Sequence, residues 1–337
     1  MTEVPTRTQY QGSLVGQALG DALGFVVEGQ PHTFCRRYVE ERLGGGRIGG
    51  LGRGPFPLGQ YSDDTQLARE LLQSYAERGR FDPEDYARRI AAIFSEGRIV
   101  GRGKATEEAA KRLARGVPWN EAGTPPPSAG NGSAMRAGPI GLLFYDKPDG
   151  LVRAAHEQGF ITHRDTRCSA GAIAIAGAVA LTLSESSVER LDFLGRLSEL
   201  TARIRAPFAD DLMRLSGWVN LPPEQAVSHI SRVCLERKLD GGWDEITPFV
   251  VPSVLWSLYS FLRSPDDYWQ TICTAIAVGG DVDTTAAMAG AISGAHLGLT
   301  AIPRKLAGRL TDQGSWGFSD LTDLADKCYD VKHRHPA

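Results

Sequence analysis

The chain has 337 residues, and its 37 Lys and Arg against 40 Asp and Glu leave a formal net charge of −3. That near-balance excludes a surface that holds nucleic acid or an anionic membrane by bulk charge. A share of 42% hydrophobic and 23% charged residues excludes a disordered chain. Glycine is the outlier, at 39 residues, or roughly 12% against a usual share of about 7%.

The length suits a single domain over residues 1–337, with a core over about 11–310 and a helical tail over 311–337. No run of about 20 consecutive apolar residues suggests a membrane span. The N-terminus, MTEVPTRTQYQG, lacks a basic-then-apolar signal pattern. Cys35, Cys168, Cys234, Cys273 and Cys328 are odd in number and form no CxxC pair. They predict reduced thiols in a cytoplasmic protein, with neither a zinc site nor a disulfide framework.

In chain order, Leu14, Val15, Ala18 and Leu19 recur at helical spacing. Gly20-Asp21-Ala22-Leu23-Gly24 ends that helix, and Glu28 lies just past it. A loop over Leu43 to Gln60 holds eight glycines. Tyr61-Ser62-Asp63-Asp64-Thr65 then precedes a helix marked by Leu67, Leu71, Leu72 and Tyr75. Asp82-Pro83-Glu84-Asp85 spells a helix start, with a capping Asp and a proline at the first helical position. A second long loop, Gly116 to Gly132, leads through Ser128 to Arg136 into an apolar run over Ala137 to Phe144. Long loops in a compact domain are more often functional than idle connectors.

Thr162-His163-Arg164-Asp165 precedes a helix over Ser169 to Leu183. Ser264-Pro265-Asp266-Asp267 predicts a helix running to Val278 and stopping at Gly279-Gly280. Gly280-Asp281-Val282-Asp283-Thr284-Thr285 opens the last helix of this set, over Thr284 to Gly298. The 169–183 and 284–298 helices are small or apolar nearly all round, which places them at the centre of a bundle. At about 15 residues each they are short for membrane spans. Alternating strand patterns and internal repeats are not evident, so the expected fold is all-α, a monomer with its long loops on one side.

Two acidic motifs carry the chemistry. Ser62-Asp63-Asp64 and Asp281-Val282-Asp283-Thr284 each bring two carboxylates and a hydroxyl to a helix N-terminus, where one capping side chain is enough. Brought together, four carboxylates repel one another unless cations sit between them. An all-oxygen set without Cys or His suits a pair of hard ions, Mg²⁺ or Mn²⁺, able to orient a water or a substrate diol. Asp210-Asp211 and Asp266-Asp267 lack flanking hydroxyls and read as solvated. Ser128-Ala129-Gly130-Asn131-Gly132-Ser133 offers backbone N–H groups and hydroxyls at a helix start, a candidate anion cradle or an ordinary turn. It is not a Walker A motif, because no Gly-Lys-Ser/Thr follows. His163 suits a sugar hydroxyl or phosphate, and equally a loop brace.

The combination resembles the ADP-ribosylglycohydrolase family. The shared segments are GDALGxxxE (Gly20 to Glu28), YSDDTQ (Tyr61 to Gln66), GNGSAMRAGPIG (Gly130 to Gly141), Thr162-His163, and GGDVDTT (Gly279 to Thr285). They occur in the family's order. The resemblance implies an all-α fold with a binuclear Mg²⁺ or Mn²⁺ cleft and hydrolysis at C1 of the distal ribose of an ADP-ribosyl group. The implied partners are ADP-ribose and an ADP-ribosylated protein or small-molecule acceptor. By matching position, the metal ligands are Ser62, Asp63, Asp64, Asp281, Asp283 and Thr284, with Ser62 where the family usually has Thr. Ser128, Gly130, Asn131, Gly132 and Ser133 match the loop that holds diphosphate and ribose, and His163 a residue near that ligand. Glu28 matches a carboxylate that contacts ribose and metals and moves with substrate in some members.

The acid–base step then falls to Glu28 or to a metal-ligating carboxylate, Asp63 or Asp283. Ile99 to Thr106, IVGRGKAT, carries Arg102 and Lys104 where arginine-directed members have an extra Asp. Those cations suit phosphates, an acidic acceptor or plain solvent, and disfavour an arginine linkage. The competing readings are a non-catalytic ADP-ribose binder and another two-metal hydrolase acting on a phosphorylated nucleotide.

Overall fold

A computed structural model describes residues 4–184, 187–233 and 245–334. Among them the protein is all-α, with sixteen α-helices and one two-stranded hairpin. The N-terminal helices are α1 (Arg7–Phe25), α2 (His32–Arg37), α3 (Asp63–Arg78), α4 (Pro83–Ser95) and α5 (Lys104–Ala114). The middle of the chain supplies α6 (Gly138–Phe144), α7 (Pro148–Phe160), α8 (Thr166–Ser184), α9 (Arg190–Ala202), α10 (Ala206–Trp218) and α11 (Pro223–Ile230). The remainder forms α12 (Val250–Arg263), α13 (Tyr268–Ala277), α14 (Val282–Leu297), α15 (Arg304–Ala307) and α16 (Phe318–Arg334).

The centre of the bundle is the pair α1 and α14. Gly12, Gly16, Gly20 and Gly24 recur every four residues along α1 and face Gly294, Gly290, Ala286 and Asp283 of α14. A Cβ on Gly16 would lie 2.5 Å from the Gly290 carbonyl oxygen, and one on Gly24 2.5 Å from Asp283 Cα. Real side chains do not fit at such distances, so the backbones touch only because these positions are glycine. The Tyr268 hydroxyl locks the seam further by donating to the Gly16 carbonyl at 2.8 Å.

α8 is longer than its sequence pattern suggests, at 19 residues. Its length and hydropathy would let it cross a membrane, but 89% of its most apolar window is buried inside the protein. It is a core helix packed against α6, α7, α9, α12 and α14. α16 packs on α1 and α3. Just before α16, Asp312 accepts from the buried Arg69 of α3 at 2.6 Å.

Local signals were mostly obeyed. Asp82 caps α4 by accepting from Asp85 N at 3.0 Å, with Pro83 at its first position. α13 starts later than expected, at Tyr268, because Asp267 accepts from Gln270 N at 3.0 Å and takes the capping role. The glycine-rich 43–60 segment is not a bare loop. It follows a π-helical turn over Tyr38–Leu43 and contains the hairpin of β1 (Gly52–Arg53) and β2 (Phe56–Pro57), in which Arg53 pairs with Phe56. Asp211 is buried and pairs with Arg214 at 3.1 Å, so it is not the solvated residue expected, whereas Asp210, Asp266 and Asp267 are exposed. Cys35, Cys168, Cys273 and Cys328 are free thiols. Cys234 lies outside the described residues.

Candidate functional site

Two helix starts face each other across a cavity of about 340 Å³. On one side, Ser62 caps α3, accepting from Asp64 N at 3.4 Å and donating to Asp64 Oδ2 at 2.9 Å. That turn presents Asp63 and Asp64 to the cavity. On the other, Asp281 precedes α14, while Asp283 and Thr284 lie in its first turn. Loop backbone fixes this second start. Asp281 N donates to Ile246 O at 2.8 Å and Gly280 N to Gln30 O at 3.0 Å. The Thr284 hydroxyl bridges the halves, at 3.4 Å from both Asp64 Oδ2 and Asp281 Oδ1.

A third element joins them. Asp21, fully buried on the last turns of α1, accepts from Ser62 N at 2.9 Å, Thr65 N at 3.0 Å and Thr65 Oγ1 at 2.6 Å. Sequence reasoning left Asp21 without a role. The signal was its place between Gly20 and Gly24, the glycines that lay α1 against α14. Carboxylate oxygens of Asp21, Asp64 and Asp283 lie within 4.8 Å of one another, and so do those of Glu28, Asp281 and Asp283. Asp283 belongs to both groups.

This crowding shows in the acidities. Burial pushes the Asp21, Asp63 and Asp281 carboxyls up to about 7, reinforced by neighbouring carboxylates at Asp63 and Asp281. Asp64 and Asp283 are raised well above the usual range, first by burial and then by the acids around them. Asp64 Oδ1 is buried and has no hydrogen-bond partner. A buried carboxylate oxygen without a donor is costly. Carboxylate oxygens of Asp21 and Asp283 lie close to it, so the cluster could hold a cation. The donor set is all oxygen, which fits a hard divalent ion.

Glu28 is about one-third exposed, lines the cavity, and pairs with Arg53 of β1. Arg53 also donates to Phe25 O at 3.2 Å and lies over the Phe25 ring at 4.8 Å. Sequence reasoning missed Arg53, because only the hairpin's fold brings it back to Glu28.

The 128–133 segment divides. Ser128, Gly130, Asn131 and Gly132 line the cavity. Asn131 spends its amide on donating to Asp281 and to Ser253 Oγ, the latter at 2.9 Å, so it braces an acid. Ser133 is turned away, fully buried and donating to Cys168 O at 2.9 Å. The segment forms a 3₁₀ turn over Asn131–Ser133, and α6 begins only at Gly138. The expected alignment with a helix N-terminus is therefore absent there.

His163 also lines the cavity, and its Nδ1 shares a 2.8 Å hydrogen bond with Thr162 Oγ1. Burial, aided by Arg136, lowers its pKa to about 3, so the ring is neutral. Arg136, buried behind it, donates to Thr162 Oγ1 at 2.8 Å. The 99–106 stretch is helical from Lys104, and Gly101 to Thr106 form the wall beside Asp63.

The chain is similar to known proteins along nearly its whole length. The model of the family described as ADP-ribosylglycohydrolase matches residues 2–337. An uncharacterized protein of Archaeoglobus fulgidus is 30% identical over 332 residues, covering 97% of each chain. "ADP-ribosylhydrolase ARH3" of Gallus gallus is 31% identical over 365 residues, covering 97% of this chain and 94% of its own. A solved structure titled "ADP-ribosylglycohydrolase-related protein complex" superposes with a TM-score of 0.72 at 26% identity, covering 97% of this chain and 98% of that one.

Proposed function

The chain belongs to the ADP-ribosylglycohydrolase family and is a hydrolase of ADP-ribosyl linkages, and from that membership we propose that it frees ADP-ribose from a modified acceptor by cleaving the bond at C1 of the distal ribose. The single observation that carries this reading is the unpartnered Asp64 Oδ1 within the acidic cluster. Ser62, Asp63, Asp64, Asp281, Asp283 and Thr284, with Asp21 behind them, would hold two divalent ions of the Mg²⁺ or Mn²⁺ class. Bound there, such ions supply Lewis-acid polarisation and orientation of ribose hydroxyls.

The side chains do the rest. Glu28 lines the cavity near Asp281 and Asp283 and pairs with Arg53. Arg53 orients it, which suits a base that takes a proton from the attacking water. Gly130 and Gly132 let backbone approach the substrate closely, and neutral His163 offers a hydrogen bond without adding a charge.

The test supplies peptides and small molecules ADP-ribosylated through different linkages, with Mg²⁺ or Mn²⁺, and scores release of intact ADP-ribose by mass spectrometry. Asp283→Ala, which removes the carboxylate common to both clusters, is expected to abolish divalent-ion binding by calorimetry and turnover together. Full turnover by that variant, or release of phosphate or AMP in place of ADP-ribose, would overturn the reading.

A further inference from the structure

We propose that Gln66 is a positioning residue for Asp63, and that the 312–316 turn, from the far end of the chain, is the strap that holds Gln66 in place. The inference rests on the metal-dependent hydrolase reading and adds residues that line no part of the cavity.

Asp63 is only half-buried, and the charges of Asp21, Glu28 and Asp281 push against its own. What lies against it is loop backbone. A Cβ on Gly101 would stand 2.5 Å from Asp63 Oδ1, and Gly101 has φ +78, so only glycine lets the loop come this near. Gln66, one turn along α3 from Asp63 and fully buried, fixes that loop. Its Oε1 accepts from Val100 N at 2.8 Å. Its Nε2 donates to Arg98 O at 3.0 Å and to Asp312 Oδ1 at 2.8 Å. A backbone N–H only donates, and carbonyl and carboxylate oxygens only accept, so the amide has a single orientation. Helix, amide, loop backbone and the Asp63 carboxylate thereby close a ring.

The strap grips the same residues from outside. Asp312 also accepts from Arg69 of α3 at 2.6 Å. Gln313 N donates to Gln60 Oε1 at 2.8 Å, and Gln313 Nε2 donates to Arg98 O at 2.7 Å. The Trp316 carbonyl accepts from the Tyr61 hydroxyl at 3.0 Å, and the Arg69 guanidinium lies 4.8 Å from the centre of the Trp316 ring. The turn therefore holds the two residues before Ser62, one face of α3 and the 98–101 loop together.

The second observation is strain. Gln313 and Trp316 have φ of +53 and +48, and among the described residues they are the only non-glycines with positive φ. Side chains of this size are outliers there. Such conformations persist only where the surroundings over-determine them, and they gather at functional sites. Glycine at 313 would relieve the strain, but it would also remove the amide that reaches Arg98.

The experiment titrates Mg²⁺ into the parent and its variants by calorimetry and follows the Mg²⁺ dependence of ADP-ribose release. Gln66→Met keeps the length of the side chain and loses all three hydrogen bonds. It should weaken Mg²⁺ binding about tenfold and raise the half-saturating Mg²⁺ for turnover by the same factor. kcat at saturating Mg²⁺ and KM for an ADP-ribosylated peptide should stay near the parent's, a split that a merely loosened fold would not give. Gln313→Gly should weaken Mg²⁺ binding about threefold without lowering the melting temperature, because glycine suits a positive φ. Gln225→Met, exposed on α11, controls for the substitution and should bind Mg²⁺ like the parent.

Parent-like Mg²⁺ affinity in a folded Gln66→Met would overturn the strap. If that variant melts below the working temperature, Gln313→Gly decides, and parent-like affinity there overturns it. Failure of the hydrolase reading looks different: the parent then binds Mg²⁺ but releases no ADP-ribose from any substrate, while the variants still differ in Mg²⁺ affinity.

Discussion

The glycines of α1 and three in the hairpin segment, Gly46, Gly50 and Gly54, answer opposite constraints. Along α1, Gly12, Gly16, Gly20 and Gly24 are helical and crowded, each against the backbone of α14. In the hairpin segment, Gly46, Gly50 and Gly54 have positive φ and nothing within 4 Å of where a Cβ would stand. The first set is glycine because space is missing, the second because the chain must turn. Both serve the cavity. The α1–α14 seam brings Asp21 beside Asp283, and the hairpin returns Arg53 to Glu28. One abundant residue type therefore sets a rigid distance in one region and a path of the chain in the other.

The comparison is broken most severely at the seam. A Cβ on Gly20 would fall on the Ala286 carbonyl, so Gly20→Ala should cost roughly 3 kcal/mol in urea unfolding and weaken divalent-ion binding as α14 is pushed off α1. A parent-like midpoint in that variant would show that the seam has slack.

Next comes pH. The Asp21, Asp63 and Asp281 carboxyls stand at about 7 in the folded protein against 3.8 in an unfolded chain. Between those values the folded state binds more protons, so stability in the presence of EDTA should be full below about pH 4 and fall as pH rises through about 7. Excess Mg²⁺ should flatten that slope and release protons on binding. Melting curves across the window, with and without Mg²⁺, measure both effects.

The hairpin should be cheaper to disturb. Arg53 and Glu28 are 40% and 34% exposed, and a pair this wet contributes little to stability. Arg53→Ala should shift the urea midpoint by less than about 0.5 kcal/mol while lowering turnover about tenfold, with Arg53→Lys restoring part of it. Unchanged turnover would separate Arg53 from the positioning of Glu28. The smallest effect belongs to Gly49, which has neither a close neighbour nor a positive φ. Gly49→Ala should leave both melting and turnover within about 0.5 kcal/mol of the parent.

Much of this was legible locally. Asp82-Pro83 announces α4, the hydroxyl-and-acid motifs announce α3 and α14, and the small-residue stretches announce two central helices. These are short-range effects, since caps and dipoles act within one turn. What could not be read depended on distant partners. Ser133 looks like a ligand-loop hydroxyl, but it turns inward because the Cys168 carbonyl lies there. Asp211 looks solvated, but α10 turns its side chain into the protein. Asp21 looks like part of a helix end, yet it receives three hydrogen bonds from residues 41 and 44 positions later.

By itself, the sequence determined which residue types stand at which helix ends: two pairs of acids, each with a hydroxyl, at the starts of two helices. It also determined an all-α fold, because apolar spacing and capping are properties of neighbouring residues. Only the tertiary structure decided that α1 would complete the acidic cluster, that Arg53 would face Glu28, and that Asp64 Oδ1 would be buried without a partner. The physical reason is that charge–charge and hydrogen-bond energies depend on distance in space, and backbone contact at glycine seams sets distances that no local pattern encodes.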